Sequence, residues 1–296
     1  MVHALLQLLE SSPYRSLVKQ AAEVVFALTG PALRLFPGQQ QCPICGARLL
    51  LLRRPVIGRA LAAQWRLSQD WIAHFEQREG EICLGCGGSL RVRQLADTVC
   101  VWLKTKGAAE GSLMAACKGS IVRGLAVAEL NACGAAHKAF RMIPGLAYSE
   151  YEPANSRVCH EDILELSYAD ELFDLVVHSD TLEHVPDVHA GLAELHRVLK
   201  PGGATIFTVP IVSDGRQTIV RAERVNGQLV YHKERSFHGG SYQSTQQYLV
   251  CYEFGSDFED AVREHGFNVE VHKSTTNPAV VSLICRKPPS GHGAGK

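Results

Sequence analysis

Residues 173–210, FDLVVHSDTLEHVPDVHAGLAELHRVLKPGGATIFTVP, constrain the fold of this chain more than any other stretch. Leu175, Val176 and Val177 form a short apolar run of the kind buried in a parallel sheet. Behind them Leu192, Leu195, Val198 and Leu199 recur at helical spacing, and Lys200-Pro201-Gly202-Gly203 stops the helix, because proline lacks an amide hydrogen and its ring clashes with the preceding turn. Residues 204–209 return as a second buried strand. The unit is β-α-β, and a parallel pair joined in this way crosses over right-handed.

The wording Phe-Asp-Leu-Val, then Leu-Glu-His-Val, then Arg-Val-Leu-Lys-Pro-Gly-Gly resembles the fourth to fifth strands of the class I S-adenosylmethionine-dependent methyltransferases, type 11-like members among them. The resemblance covers residues 122–287. It implies an α/β fold, a Rossmann-like seven-stranded methyltransferase sheet with helices on both faces. Residues 124–130, 146–149 and 158–160 fit its first three strands. Residues 257–265 fit the last helix, with Gly266 as its stop, and 267–272 and 280–285 the closing strands. Ligands of such sheets lie at the carboxyl ends of the strands.

A second pattern precedes this region. Cys42-Pro-Ile-Cys45-Gly and Cys83-Leu-Gly-Cys86-Gly are two Cys-x2-Cys knuckles, a spacing that lets four thiolates surround one tetrahedral zinc. The gap between them carries an expected helix over residues 60–79. The following Arg91-Val-Arg93-Gln-Leu95 resembles a segment that bacterial methyltransferases place between such a ribbon and the catalytic domain. The expected organisation is an N-terminal helical segment at 1–38 (helices at 5–9 and 17–35), a small zinc-ribbon-like domain at 39–96, a helical linker at 97–121, the methyltransferase domain at 122–287 and a disordered tail at 288–296. Cysteines 100, 117, 133, 159, 251 and 285 lack ligand spacing and read as small buried apolar residues.

The resemblance also implies a methyl donor, S-adenosylmethionine, and its binding set. The loop after the first strand, Glu129-Leu-Asn131-Ala-Cys-Gly134, keeps one glycine of the usual alternating pattern. A dinucleotide needs close backbone approach to its pyrophosphate and is disfavoured by that loss; the methyl donor has no phosphate. Asn131 can take the left-handed conformation that glycine would supply. Glu150 corresponds to the acceptor of the ribose hydroxyls, Tyr151 to a stacking partner for adenine, and Asp162 with Ile163 to the adenine pocket. Ser179 completes the set. Glu129 either contacts the donor or orders the loop.

A hydroxyl acceptor needs a base. His178, Asp180 and His184 follow the fourth strand. Phe237-His238-Gly239-Gly240 resembles a Tyr-His-Gly element above the acceptor pocket, and His238 is the first choice, with Asp180 and His178 behind it. Thirty basic and thirty acidic residues cancel, so no global field recruits nucleic acid or an anionic membrane. The expected acceptor is a small molecule or glycan precursor, methylated at oxygen. Two alternatives stay open: an RNA methyltransferase whose Arg53, Arg54, Arg91 and Arg93 contact phosphate from the ribbon, and a non-catalytic relative acting as a binding or assembly module, with the N-terminal helices as a partner or membrane-surface face. Ten cysteines, no basic leader, and Glu23 and Pro31 interrupting the early apolar stretch point to a cytoplasmic protein with no transmembrane segment.

Overall fold

The computed structural model describes residues 33–35, 41–48, 50–53, 56–109, 111–211, 217–238 and 248–289. Strands β1 (Leu33–Leu35), β2 (Leu50–Arg53) and β3 (Glu81–Cys83) form a small antiparallel sheet. Residues 33–35 were expected at the end of a helix; pairing with β2 makes them a strand. The rest of the expected N-terminal helices, and the tail beyond residue 289, lie outside the described residues.

The expected helix at 60–79 is two, α1 (Arg59–Gln64) and α2 (Gln69–Gly80). Arg66 takes a left-handed φ of 52°, and the Ser68 hydroxyl caps α2 by accepting from the Trp71 amide at 3.2 Å. Helix α3 (Leu90–Thr105) begins directly after the second knuckle, capped by Ser89, and runs unbroken through residue 96, where the sequence suggested a border between domains. Val92, Leu95, Val99, Trp102 and Leu103 form its buried stripe.

Two short helices, α4 (Leu113–Ala116) and α5 (Ser120–Arg123), lead to the main sheet. Its strands are β4 (Val127–Leu130), β5 (Ala147–Glu150), β6 (Cys159–His160), β7 (Phe173–Ser179) and β8 (Leu199–Thr208), with helices α6 (His137–Phe140) and α7 (Val188–Val198) between them. Small pairs then follow: β9 (Ile219–Val220) with β14 (Tyr252–Glu253), β10 (Ala222–Val225) with β11 (Gln228–Tyr231), and β12 (Phe237–His238) with β13 (Tyr248–Leu249). Helix α8 (Phe258–Glu264) and strands β15 (Asn268–Lys273) and β16 (Val281–Arg286) close the chain. The seven strands stand in the order β15-β16-β8-β7-β4-β5-β6, with β16 antiparallel to both neighbours and the other contacts among β4 to β8 parallel. This is the mixed seven-stranded sheet the resemblance implies.

Alternation along the strands splits the core in two. Val127, Leu175, Val177 and Ile206 face α3 and the ribbon residues Cys42, Ile44 and Leu51. Ala128, Val176, Phe207 and Leu283 face Leu192 and Leu195 of α7 and Phe258 and Val262 of α8. The first part of β8, where its register against β7 shifts, needs its glycine. A Cβ at Gly203 would lie 2.9 Å from the Lys200 carbonyl oxygen and 3.0 Å from that of Phe173. Five of the six cysteines without ligand spacing are buried as expected, whereas Cys159 is exposed on β6, a two-residue strand at the edge of the sheet.

Candidate functional site

At the carboxyl end of β4, Glu129 is fully buried and does not face the crevice. Its Oε1 accepts from the Cys133 amide at 2.9 Å, and its Oε2 lies 2.6 Å from His137 Nδ1. Both carboxylate oxygens are thus engaged within the loop. Asn131 has φ 59° and Gly134 φ 55°, so asparagine does stand where the backbone turns left-handed. Asn131 Oδ1 accepts from the Tyr151 amide at 2.9 Å, which ties the loop to the end of β5.

Glu150 closes β5. Both of its hydrogen bonds among the described residues fall on Oε1, from the Ala132 amide at 3.0 Å and the Tyr148 hydroxyl. Tyr151 beside it is exposed, its ring 5.7 Å from that of His160. Asp162 Oδ1 accepts from the Leu164 amide at 2.9 Å, and Ile163 is buried. Asn131 and Ala132 are thus bonded to Tyr151 and Glu150 where β4 and β5 end, with Asp162 following β6.

The end of β7 carries more charge than the sequence suggested. Asp180, at φ 48°, receives a fork of two hydrogen bonds from Arg78 of α2, at 2.7 and 2.8 Å, and one from Thr208 Oγ1 at 2.8 Å. Arg91 of α3 lies 3.3 Å from the same carboxylate, bonds to Glu79 at 2.8 Å and reaches the Ser179 hydroxyl. Burial alone would raise Asp180, but Arg78 and Arg91 hold it well below the usual carboxylate range. A carboxylate so engaged is a counter-ion to the two guanidinium groups. The His178 ring is fully buried with its centroid 4.6 Å from that of Phe207, neither nitrogen has a partner among the described residues, and burial pushes it down to about 3.

His238 on β12 stands between Trp65 and His184, with ring centroids 5.0 and 4.9 Å away. Burial, reinforced by His184, lowers it to about 3. His184 follows Glu183 in the short turn after β7; burial, with Asp180 nearby, pushes the Glu183 carboxyl well up. Trp65 also donates from Nε1 to Ser236 Oγ at 2.8 Å, so the inserted helices are bonded to the main body. Beside them a cavity of about 900 Å3 opens between α1–α2 and the β8–β16 half of the sheet, with Trp65, Trp71, His74, Val209, Phe258 and Asn277 in its wall.

In the ribbon, the sulfurs of Cys42, Cys45, Cys83 and Cys86 lie within 4.8 Å of one another, Cys42 and Cys86 at 3.7 Å. Hydrogen bonds from the Cys42 and Cys86 thiols drive Cys83 down to about 2, and the same sharing drives Cys86 up. The arginines proposed for RNA are committed elsewhere. Arg53 and Arg93 both bond Glu81, at 2.8 and 2.9 Å, and Arg91 enters the crevice; Arg54 lies outside the described residues. No described helix is long and apolar enough to cross a membrane.

Sequence reasoning missed Arg78 as a residue of this region. It is buried, and an arginine in the middle of a helix carries no sign that it points inward.

Residues 114–207 match the family model described as a methyltransferase domain. The demethylmenaquinone methyltransferase of Staphylococcus epidermidis is 42% identical over 52 residues, 18% of this chain and 22% of that protein. That of Alkalihalophilus pseudofirmus is 40% identical over 57 residues, 19% of this chain and 24% of that protein. The chain therefore matches less than a quarter of the length of either curated relative. Among solved structures, an S-adenosylmethionine dependent methyltransferase from Mesorhizobium loti is 17% identical, covering 56% of this chain and 92% of its own, at a TM-score of 0.38. DesVI of Streptomyces venezuelae is 14% identical, covering 68% and 92%, at 0.41.

Proposed function

Since residues 114–207 belong to the class I S-adenosylmethionine-dependent methyltransferases, we propose that the chain transfers the methyl group of S-adenosylmethionine to an oxygen of a small molecule or glycan precursor, and that its four-cysteine cluster holds a structural zinc. The observation that carries the donor reading is the Asn131–Gly134 loop beside Glu150. Two left-handed residues keep the backbone low, and the hydrogen bonds of Glu150 on Oε1 leave Oε2 to accept ribose hydroxyls. Tyr151 offers an exposed ring beside it, and Asp162 and Ile163 a polar and an apolar contact for the base.

The donor supplies a methyl group activated on sulfonium. The chain's part is alignment and exclusion of water. The cavity walled by Trp65, Trp71 and Phe258 supports a small acceptor, its volume being that of a small-molecule site. His238 stands where that wall meets the end of β7, and with Asp180 locked and His178 buried it is the residue we place against the acceptor hydroxyl. The RNA reading loses its support because three of its four arginines are already paired within the protein.

For zinc, the donor set fits. Four thiols at these separations cannot all ionise without a cation, and a tetrahedral metal accepts all four. Calorimetric titration with S-adenosylmethionine tests the donor reading, and a chain that binds no donor would be a scaffold. Elemental analysis tests the metal, with one zinc per chain expected.

A further inference from the structure

Helix α1 ends on an arginine where glycine is the usual residue. The Leu67 amide donates to the Ala62 carbonyl at 3.0 Å and the Arg66 amide to that of Ala63 at 3.1 Å, the pair of bonds that closes a helix on a left-handed residue. Glycine normally takes that place because it has no Cβ to clash. Arg66 takes it here, at φ 52°. A side chain kept where the backbone resists it points to a use for that side chain.

Its surroundings indicate the use. Between α1 and α2 lies a second cavity, of about 450 Å3, whose wall carries Arg59, Arg66 and Gln69 together with the apolar Ala62, Leu67 and Ile72. No carboxylate lines it. Both guanidinium groups are exposed, and neither has a partner among the described residues. Arg53, Arg78, Arg91 and Arg93 of the same region are, by contrast, each paired with a carboxylate. The first turn of α2 starts at Gln69, so its amide ends add to the positive potential, while Asp70 lines the larger cavity and not this one.

Two unpaired guanidinium groups match a doubly charged anion. A carboxylate needs only one of them, whereas a phosphate monoester carries close to two charges at neutral pH and three acceptor oxygens. The small cavity also adjoins the large one, because Arg66 and Leu67 stand in the walls of both. There Trp65, Trp71 and Phe258 offer flat apolar faces suited to a ring. We propose that Arg59 and Arg66 form a phosphate-binding subsite, and that the acceptor is a phosphate ester of a ring compound, its ring in the Trp65-lined cavity. Calling that compound the acceptor rests on the methyltransferase reading; the subsite itself does not.

The test is calorimetric titration of the full chain without S-adenosylmethionine, so that it can be scored whether or not the donor binds. The probes are glucose 1-phosphate and phenyl phosphate, their neutral counterparts glucose and phenol, and inorganic phosphate. At least one ring phosphate should bind about tenfold or more tighter than its neutral counterpart and than inorganic phosphate. Which of the two does so separates a sugar ring from an aromatic one. Arg59→Gln and Arg66→Asn should each reduce that preference about tenfold or more. Asparagine tolerates the left-handed turn, so its effect reports the lost charge. A ring phosphate that binds no tighter than inorganic phosphate overturns the proposal. A preference that survives both substitutions, or no binding of either ring phosphate at millimolar concentration, overturns it equally.

Discussion

The cysteine cluster and the group of Glu183, His184 and His238 are built in opposite ways. In the ribbon, four identical ligands come from two tight turns, each knuckle supplying a pair, and the sequence spacing alone brings them together. At the end of β7, two neighbours in one turn meet a histidine from β12, and the group exists only because β13 pairs with β12 and its Leu249 carbonyl faces His184. The first is an arrangement of local turns, and the second is a product of tertiary packing.

The comparison breaks first at the ribbon. Chelation of the zinc should abolish the cooperative melt of the N-terminal part of the core, because Cys42, Ile44, Leu51 and Cys83 pack in the same cluster as Val127 and Leu175. Metal binding by such sites is worth on the order of 10 kcal/mol. A thermal melt unchanged after complete metal removal, verified by elemental analysis, would show that the thiols fold without it.

The second cluster should answer differently. His238→Ala is expected to lower turnover about a hundredfold or more while leaving the melting temperature and donor affinity nearly intact, because the ring is held at the border of the crevice and outside the donor mouth. A variant with full turnover on an identified acceptor would assign His238 to structure alone.

Glu150→Ala probes the proposed donor contact at the end of β5. Loss of a charge-assisted acceptor for two hydroxyls should weaken S-adenosylmethionine binding about tenfold to a hundredfold, measured by calorimetry. Unchanged affinity in a folded variant would move the donor away from the end of β5.

The smallest effect belongs to Arg53→Ala. Its side chain is 41% exposed, and Glu81 keeps Arg93 as a partner, so stability should change by less than about 1 kcal/mol, read from urea denaturation. A larger loss would mean that ion pairs, and not the metal, hold the ribbon together.

What could be read from the sequence follows the same division. The β7-α7-β8 unit was legible because its strands are buried on both faces and its helix carries one apolar stripe, and observed boundaries fall within a few residues of those expected. Asn131 was legible because one residue type tolerates a left-handed turn where glycine is missing. The break at Arg66 was not, since an arginine gives no warning of positive φ. Nor was the lock on Asp180, whose partners lie on α2 and α3, far away along the chain.

Helix α3 starts within a few residues of Cys86, and Arg91 sits in its first turn. Between the knuckle and the guanidinium there are only Gly87, Gly88, Ser89 and Leu90, too short a tether to absorb movement. The ribbon and this wall of the crevice therefore form a single rigid lever, fixed at one end by the cysteine turns and at the other by Ser179 and Asp180. The β10–β11 hairpin is built otherwise: β11 is exposed throughout, and β10 is buried only at Ala222.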